Sequence, residues 1–210
     1  MAAPSTFPLT TFELAALVAL APGPAATQSA TSLRIPDPAT DPQSKRAGLS
    51  SLLVRELATI EGTQIRADGL AGAVAGALTT AETWVEVGVA RRESADAAVL
   101  VGTAKGALMI TPRGYDVWNT LAVAQGTDLV EAGVDLAARG VDVTPDGEPV
   151  AVTVKVVTLD GSTTASAHRD ADGAWQVALE PADAEGRLTV QPDAPADQAA
   201  ALARVRDALR

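Results

Sequence analysis

Runs of hairpin-linked strands alternating with small groups of helices predict an α+β fold, a largely antiparallel sheet flanked by helices. Three observations carry this. Trp84, Glu86 and Gly88 alternate with Val85, Val87 and Val89 at strand period. Asp160-Gly161 and Asp172-Gly173 are hairpin turn signals set between apolar runs. Leu and Ile fall at helical spacing ahead of the first meander. The helix-then-strands pattern occurs twice, over residues 44–125 and 126–210, so two pseudo-symmetric halves of one compact unit are expected.

The elements follow in order. Residues 1–21 are read as an N-terminal helical segment, with Thr10 or Thr11 as cap and Leu14, Leu17, Val18 and Ala21 on one face. Pro22-Gly23-Pro24 stops it. Residues 22–43 are rich in Pro, Ser, Thr and Ala and predict a flexible connector. Ser44 is expected to cap a helix reaching Ile60, with Leu49, Leu52, Leu53, Leu57 and Ile60 on its buried face and Gly62 at its end. Arg55 and Glu56 would point outward.

A second helix, 67–78, presents Leu70, Val74, Ala77 and Leu78. Gly69, Gly72 and Gly76 lower its propensity but permit close approach. Strands are expected at 84–89, 97–102, 107–111 and 115–123. The last alternates imperfectly, Val117, Asn119, Leu121 and Val123 against Trp118 and Thr120.

Thr127 or Asp128 caps a helix with Leu129, Val130, Val134 and Leu136 buried, ending at Gly140. Strands follow at 150–159, 163–169, 174–179 and 186–190. Pro195 opens a last helix with Ala199, Leu202, Val205 and Leu209 on one face.

Composition narrows the function. The 26 acidic and 16 basic residues give a formal charge of −10, the wrong sign for a general nucleic-acid or anionic-membrane binder. Cysteine is absent, which excludes disulfides and thiolate metal sites. No apolar run approaches the ~20 residues of a membrane span. The apolar stretch Leu14 to Ala21 lacks a preceding basic region and begins beside Glu13, so a secretory signal is not expected. A cytoplasmic location is.

The parts of an enzyme are missing one by one. His168 is the single histidine and lies in a predicted strand just before a hairpin. Asp170 and Asp172 flank a turn and lack the further ligands of a calcium loop. The glycines of 69–76 precede no Lys-Ser or Lys-Thr, and no Gly-x-Ser-x-Gly elbow is present. No catalytic, cofactor-binding or metal-binding residue is therefore assigned, and no cofactor is expected.

Two readings remain. The helices at 44–60 and 67–78 with a hairpin at 84–102 outline a winged-helix transcriptional regulator. Its second helix, however, has no Lys or Arg with which to read DNA. The favoured reading is a protein-binding chaperone or adaptor, with contacts from exposed apolar residues of the meander or of the Ala- and Gly-rich helix. Trp84, Trp118, Leu70 and Val74 are the candidate partner-binding residues.

The order and texture of the chain resemble the EspG family, the chaperones of type VII (ESX) secretion in actinobacteria. Three stretches carry the resemblance. They are the opening Thr11-Phe-Glu-Leu-Ala-Ala-Leu17; the segment Ala47 to Leu57 with Leu70 to Leu78 and the strands from Trp84; and Val154 through Arg169-Asp-Ala-Asp-Gly-Ala-Trp175 with its closing helix. The resemblance implies an antiparallel sheet with helical subdomains, and a PE–PPE heterodimer held at the hydrophobic tip of its PPE member. A helical secreted protein or protein heterodimer is thus the expected partner, and the reading is compatible with a homo-oligomer. The chain is shorter than the family's usual length, with one helix between Val123 and Val150.

Overall fold

The structure is a computed structural model that describes residues 6–36 and 40–210. The elements in chain order are β1 (Phe7–Thr10), α1 (Thr11–Val18), α2 (Pro24–Leu33), α3 (Pro42–Val54), β2 (Ala58–Glu61), β3 (Gln64–Ala67), α4 (Gly69–Thr80), β4 (Thr83–Arg91), β5 (Ala95–Thr103), β6 (Gly106–Arg113), β7 (Val117–Val123), α5 (Leu129–Asp142), β8 (Val150–Thr158), β9 (Ser162–Arg169), β10 (Trp175–Ala182), β11 (Leu188–Val190) and α6 (Gln198–Ala208). Nine strands form one antiparallel sheet in the order β1-β7-β6-β5-β4-β8-β9-β10-β11, and β2 with β3 forms a separate hairpin. The α+β expectation holds. No helix among the described residues is long and apolar enough to cross a membrane.

The chain divides into two units. The first comprises residues 1–84 and 99–126, the second 85–98 and 127–210, so β4 and β5 each contribute to both.

In the first unit, Thr10 closes a capping box on α1. Its hydroxyl accepts from the Glu13 N–H, and the Glu13 carboxylate accepts from the Thr10 N–H. Helices α1 and α3 touch through Gly48, where a Cβ would collide with the Phe12 carbonyl. Glu13 is fully buried and takes hydrogen bonds from Ser51 Oγ at 2.7 Å and Arg55 Nη1 at 2.7 Å. Burial pushes its carboxyl upward, but the Thr10 N–H, Ser51 and Arg55 together hold it below the usual glutamate value. Arg55 therefore does not simply point outward as expected; it pins α3 to α1.

The connector expected at 22–43 is corrected over much of its length. Residues 24–33 form α2, with Pro24 at its first turn and Ala26, Ala30 and Leu33 buried. Its weak propensity is offset by burial, and by Ser29, whose hydroxyl donates to the Leu78 carbonyl at 2.6 Å and accepts from Trp84 Nε1 at 2.9 Å. Residues 37–39 of the expected connector lie outside the described residues, as do residues 1–5 of the expected first segment.

The helix expected to reach Ile60 ends at Val54, capped by Asp41 rather than Ser44. Leu57, Ala58 and Ile60 belong to the turn into β2 and to the hairpin, and Ile60 is exposed. That hairpin separates α3 from α4, and the strands at 84–102 lie inside the large sheet. The winged-helix outline is not the arrangement found.

In the second unit, Asp128 caps α5 by accepting from the Val130 and Glu131 N–H groups. These bonds, that from Glu131 first, lower its carboxyl pKa despite a small opposing effect of burial. The helix continues through Gly140 to Asp142, where a stop at the glycine was expected. Gly133 and Gly140 are instead close-approach points: a Cβ would meet Val85 Cγ1 at 2.8 Å or Val89 Cγ2 at 2.7 Å. Val152, Val154, Ala165, Ala167 and Val177 complete a core of small aliphatic side chains. Helix α6 buries Ala201, Leu202 and Val205, and its expected contact Ala199 is exposed.

Candidate partner-binding surface

The candidate surface lies in the first unit, on the β5-β6-β7 meander. Register assigns its two faces. Val99 pairs with Ile110 and Ile110 with Thr120, while Leu9 pairs with Trp118, so these residues share one face. Val99, Ile110, Thr120 and Leu9 are buried there. Met109 pairs with Leu121, Ala107 with Val123 and Thr111 with Asn119 on the other face, and all six are only half-buried. Leu100, opposite Met109 on this face, is buried, and a strand surface that meets water ordinarily alternates to polar residues. Here it carries Met, Leu, Val and Ala.

Two details mark this face further. Met109 is the one methionine beyond position 1, and a thioether adapts to irregular partners. Asn119 Oδ1 is buried and finds no donor among the described residues. A buried carbonyl of this kind calls for a donor.

The end of the meander gathers aromatic side chains. The chain has three Trp, one Tyr and two Phe; Phe7, Phe12, Tyr115 and Trp118 come from β1, α1 and the β6–β7 hairpin. The Thr11 N–H donates to the Asp116 carbonyl at 2.8 Å, and Trp118 Nε1 donates to Thr11 Oγ1 at 2.9 Å. These bonds bring α1 and the hairpin tip together. Tyr115 and Asp116 both hold left-handed φ, 64° and 56°, and Tyr115 is fully exposed. Holding two non-glycine residues there costs on the order of 1–3 kcal/mol each.

The four expected contact residues separate into two groups. Trp84 is fully buried and Val74 is 3% exposed, so both are core residues, a correction forced by the α2–α4 packing around them. Leu70 is 61% exposed at the first turn of α4, whose buried face is Ala71, Val74, Ala75 and Leu78. Trp118 is half-exposed. Sequence reasoning passed over Met109 and Leu121, whose shared face only the strand register assigns.

His168 is exposed on β9, opposite Gln176 and Ala151. The Asp170 carboxylate accepts from the Asp172 and Ala174 N–H groups, a turn role. Among the described residues no group of three or more His, Asp or Glu is placed to hold a metal ion. Comparison with protein-family models and with curated proteins finds no match.

Proposed function

We propose that this chain is a non-enzymatic chaperone or adaptor that receives an amphipathic helical segment of a secreted partner on the half-buried apolar face of β6 and β7. The observation that carries the reading is the half-buried apolar set Met109, Leu121, Ala107 and Val123 on one face of the meander. An apolar sheet face is ordinarily covered by a helix. Within the second unit, α5 covers Val85, Val87 and Val154 in that way. The partner helix would supply the same kind of cover.

The resemblance to the EspG family narrows the partner to a type VII secretion substrate, such as the PPE member of a PE–PPE pair, and the place of action to the cytoplasm. Purification of the tagged chain from its host tests the proposal. A helical secreted protein identified in stoichiometric amount supports it, and recovery of the chain alone or only as its own oligomer counts against it. The winged-helix alternative is left without support by α4, which has no Lys or Arg.

A further inference from the structure

The half-buried apolar face of β6 and β7 has a cation at each end. Lys105 lies in the β5–β6 turn, next to the row in which Gly102, Ala107 and Val123 are paired. Arg113 ends β6 opposite Val117, and the two-residue period from Ala107 through Met109 and Thr111 places it on their face. Both cations are exposed, and no ion pair among the described residues engages either.

From Val99 to Val123 the chain holds a single carboxylate, that of Asp116 in the turn beyond Arg113. The face is thus apolar along its middle and basic at its ends, in a chain whose net charge is −10. Strand β6 runs 8 residues from Gly106 to Arg113, about 24 Å at ~3.4 Å per step. A helix laid along it spans that distance in roughly 16 residues.

We infer that the helix received on this face carries acidic side chains at both ends of an apolar stripe. The inference rests on the reading of β6 and β7 as a helix-binding face, and it narrows the partner. A carboxylate at each end of the helix meets an unpaired cation, whereas a basic helix meets like charge there. Between the ends, Met109, Leu121, Ala107 and Val123 call for apolar side chains. The charge of the whole chain argues the other way, since a molecule at −10 repels acidic ligands at long range. Preference for an acidic helix is therefore a property of this face and not of the molecule's net charge.

Two synthetic peptides of roughly 16 residues, stapled to equal helicity and sharing one Leu- and Ala-rich stripe, test the inference. One carries Glu in its first and last turns, the other Lys. Binding to the full chain is measured by fluorescence anisotropy and located by amide shift mapping. The Glu peptide should bind about tenfold more tightly, with shifts at Ala107, Met109, Leu121 and Val123, and added salt should narrow the gap. Lys105→Glu should weaken the Glu peptide more than Arg113→Glu does, because Asp116 already offsets charge at the Arg113 end. Both side chains are exposed, so these variants keep the fold. Equal affinities at this face, tighter binding of the Lys peptide, or an unchanged affinity in Lys105→Glu would overturn the inference and leave the helix-binding face standing. No binding of either peptide, or shifts confined to other residues, would overturn both.

Discussion

The two units are built from the same kinds of element yet differ in charge and in how they use small residues. The first unit carries 8 acidic and 7 basic residues, the second 18 and 9, so nearly all of the net −10 belongs to the second. The first unit also holds the half-exposed apolar face and most of the exposed aromatic side chains. Charged residues are depleted at the centres of protein interfaces, whereas a strongly acidic surface favours solubility. The difference teaches that a chain-wide charge describes neither half. In this molecule the strongly acidic surface and the half-buried apolar face fall in different units.

Glycine use draws the same contrast. At Gly48 the neighbour is backbone, at Gly140 a valine side chain. Gly48→Ala must move α1 against α3 and should cost about 3 kcal/mol or more. Gly140→Ala can be met partly by a rotamer change at Val89 and should cost about 1–3 kcal/mol. Urea unfolding followed by tryptophan fluorescence checks the order. Equal costs would erase the distinction.

The buried carboxylate of the first unit sharpens the comparison next. Arg55→Ala leaves the Glu13 charge without its cation and should destabilise by about 3–5 kcal/mol, less what water entering at the part-exposed Arg55 position recovers. Acid acts on the same pair. Because Glu13 titrates lower in the folded chain than its ordinary 4.5, its contribution is present above that value and fades as pH falls through the folded pKa. Glu13→Gln should therefore flatten the acid limb of a stability–pH profile. An unchanged slope below pH 4.5 would contradict the assignment.

The smallest effect is expected at a cap of the second unit. Asp128→Ala removes the acceptor for two N–H groups of α5 and should cost about 0.5–2 kcal/mol, measured as a shift in the thermal midpoint.

Much of the sheet was legible in the sequence because it is built on local signals. The alternation of 84–89 and the Asp-Gly turns locate β4 and β9–β10 directly. What was missed depends on tertiary contact. Helix α2 reads as a connector by composition, and it exists because Ser29 and Leu33 are buried in the packing of the first unit. Strand β1 is four residues long and contains Pro8, which is acceptable only on a sheet edge. The β2–β3 hairpin was absorbed into a helix because Leu57 and Ile60 continue the helical spacing of Leu49 and Leu53.

The candidate surface was legible in kind, apolar residues of the meander, but not in residue. A large side chain such as Trp84 fits either an interface or a core, and only the neighbours decide. Leu121 was distinguishable only through the register that sets it beside Met109.

The most direct measurement is host co-purification of the tagged chain beside its Leu121→Asp variant, with thermal midpoints recorded for both. The account predicts a helical secreted partner at stoichiometric level with the unaltered chain. It predicts loss of that partner from the variant at a temperature well below the variant's own midpoint, where the variant is still folded; Leu121 is half-buried, so the midpoint itself is expected to fall. Retention of the partner by the variant, or its absence from both, would contradict it.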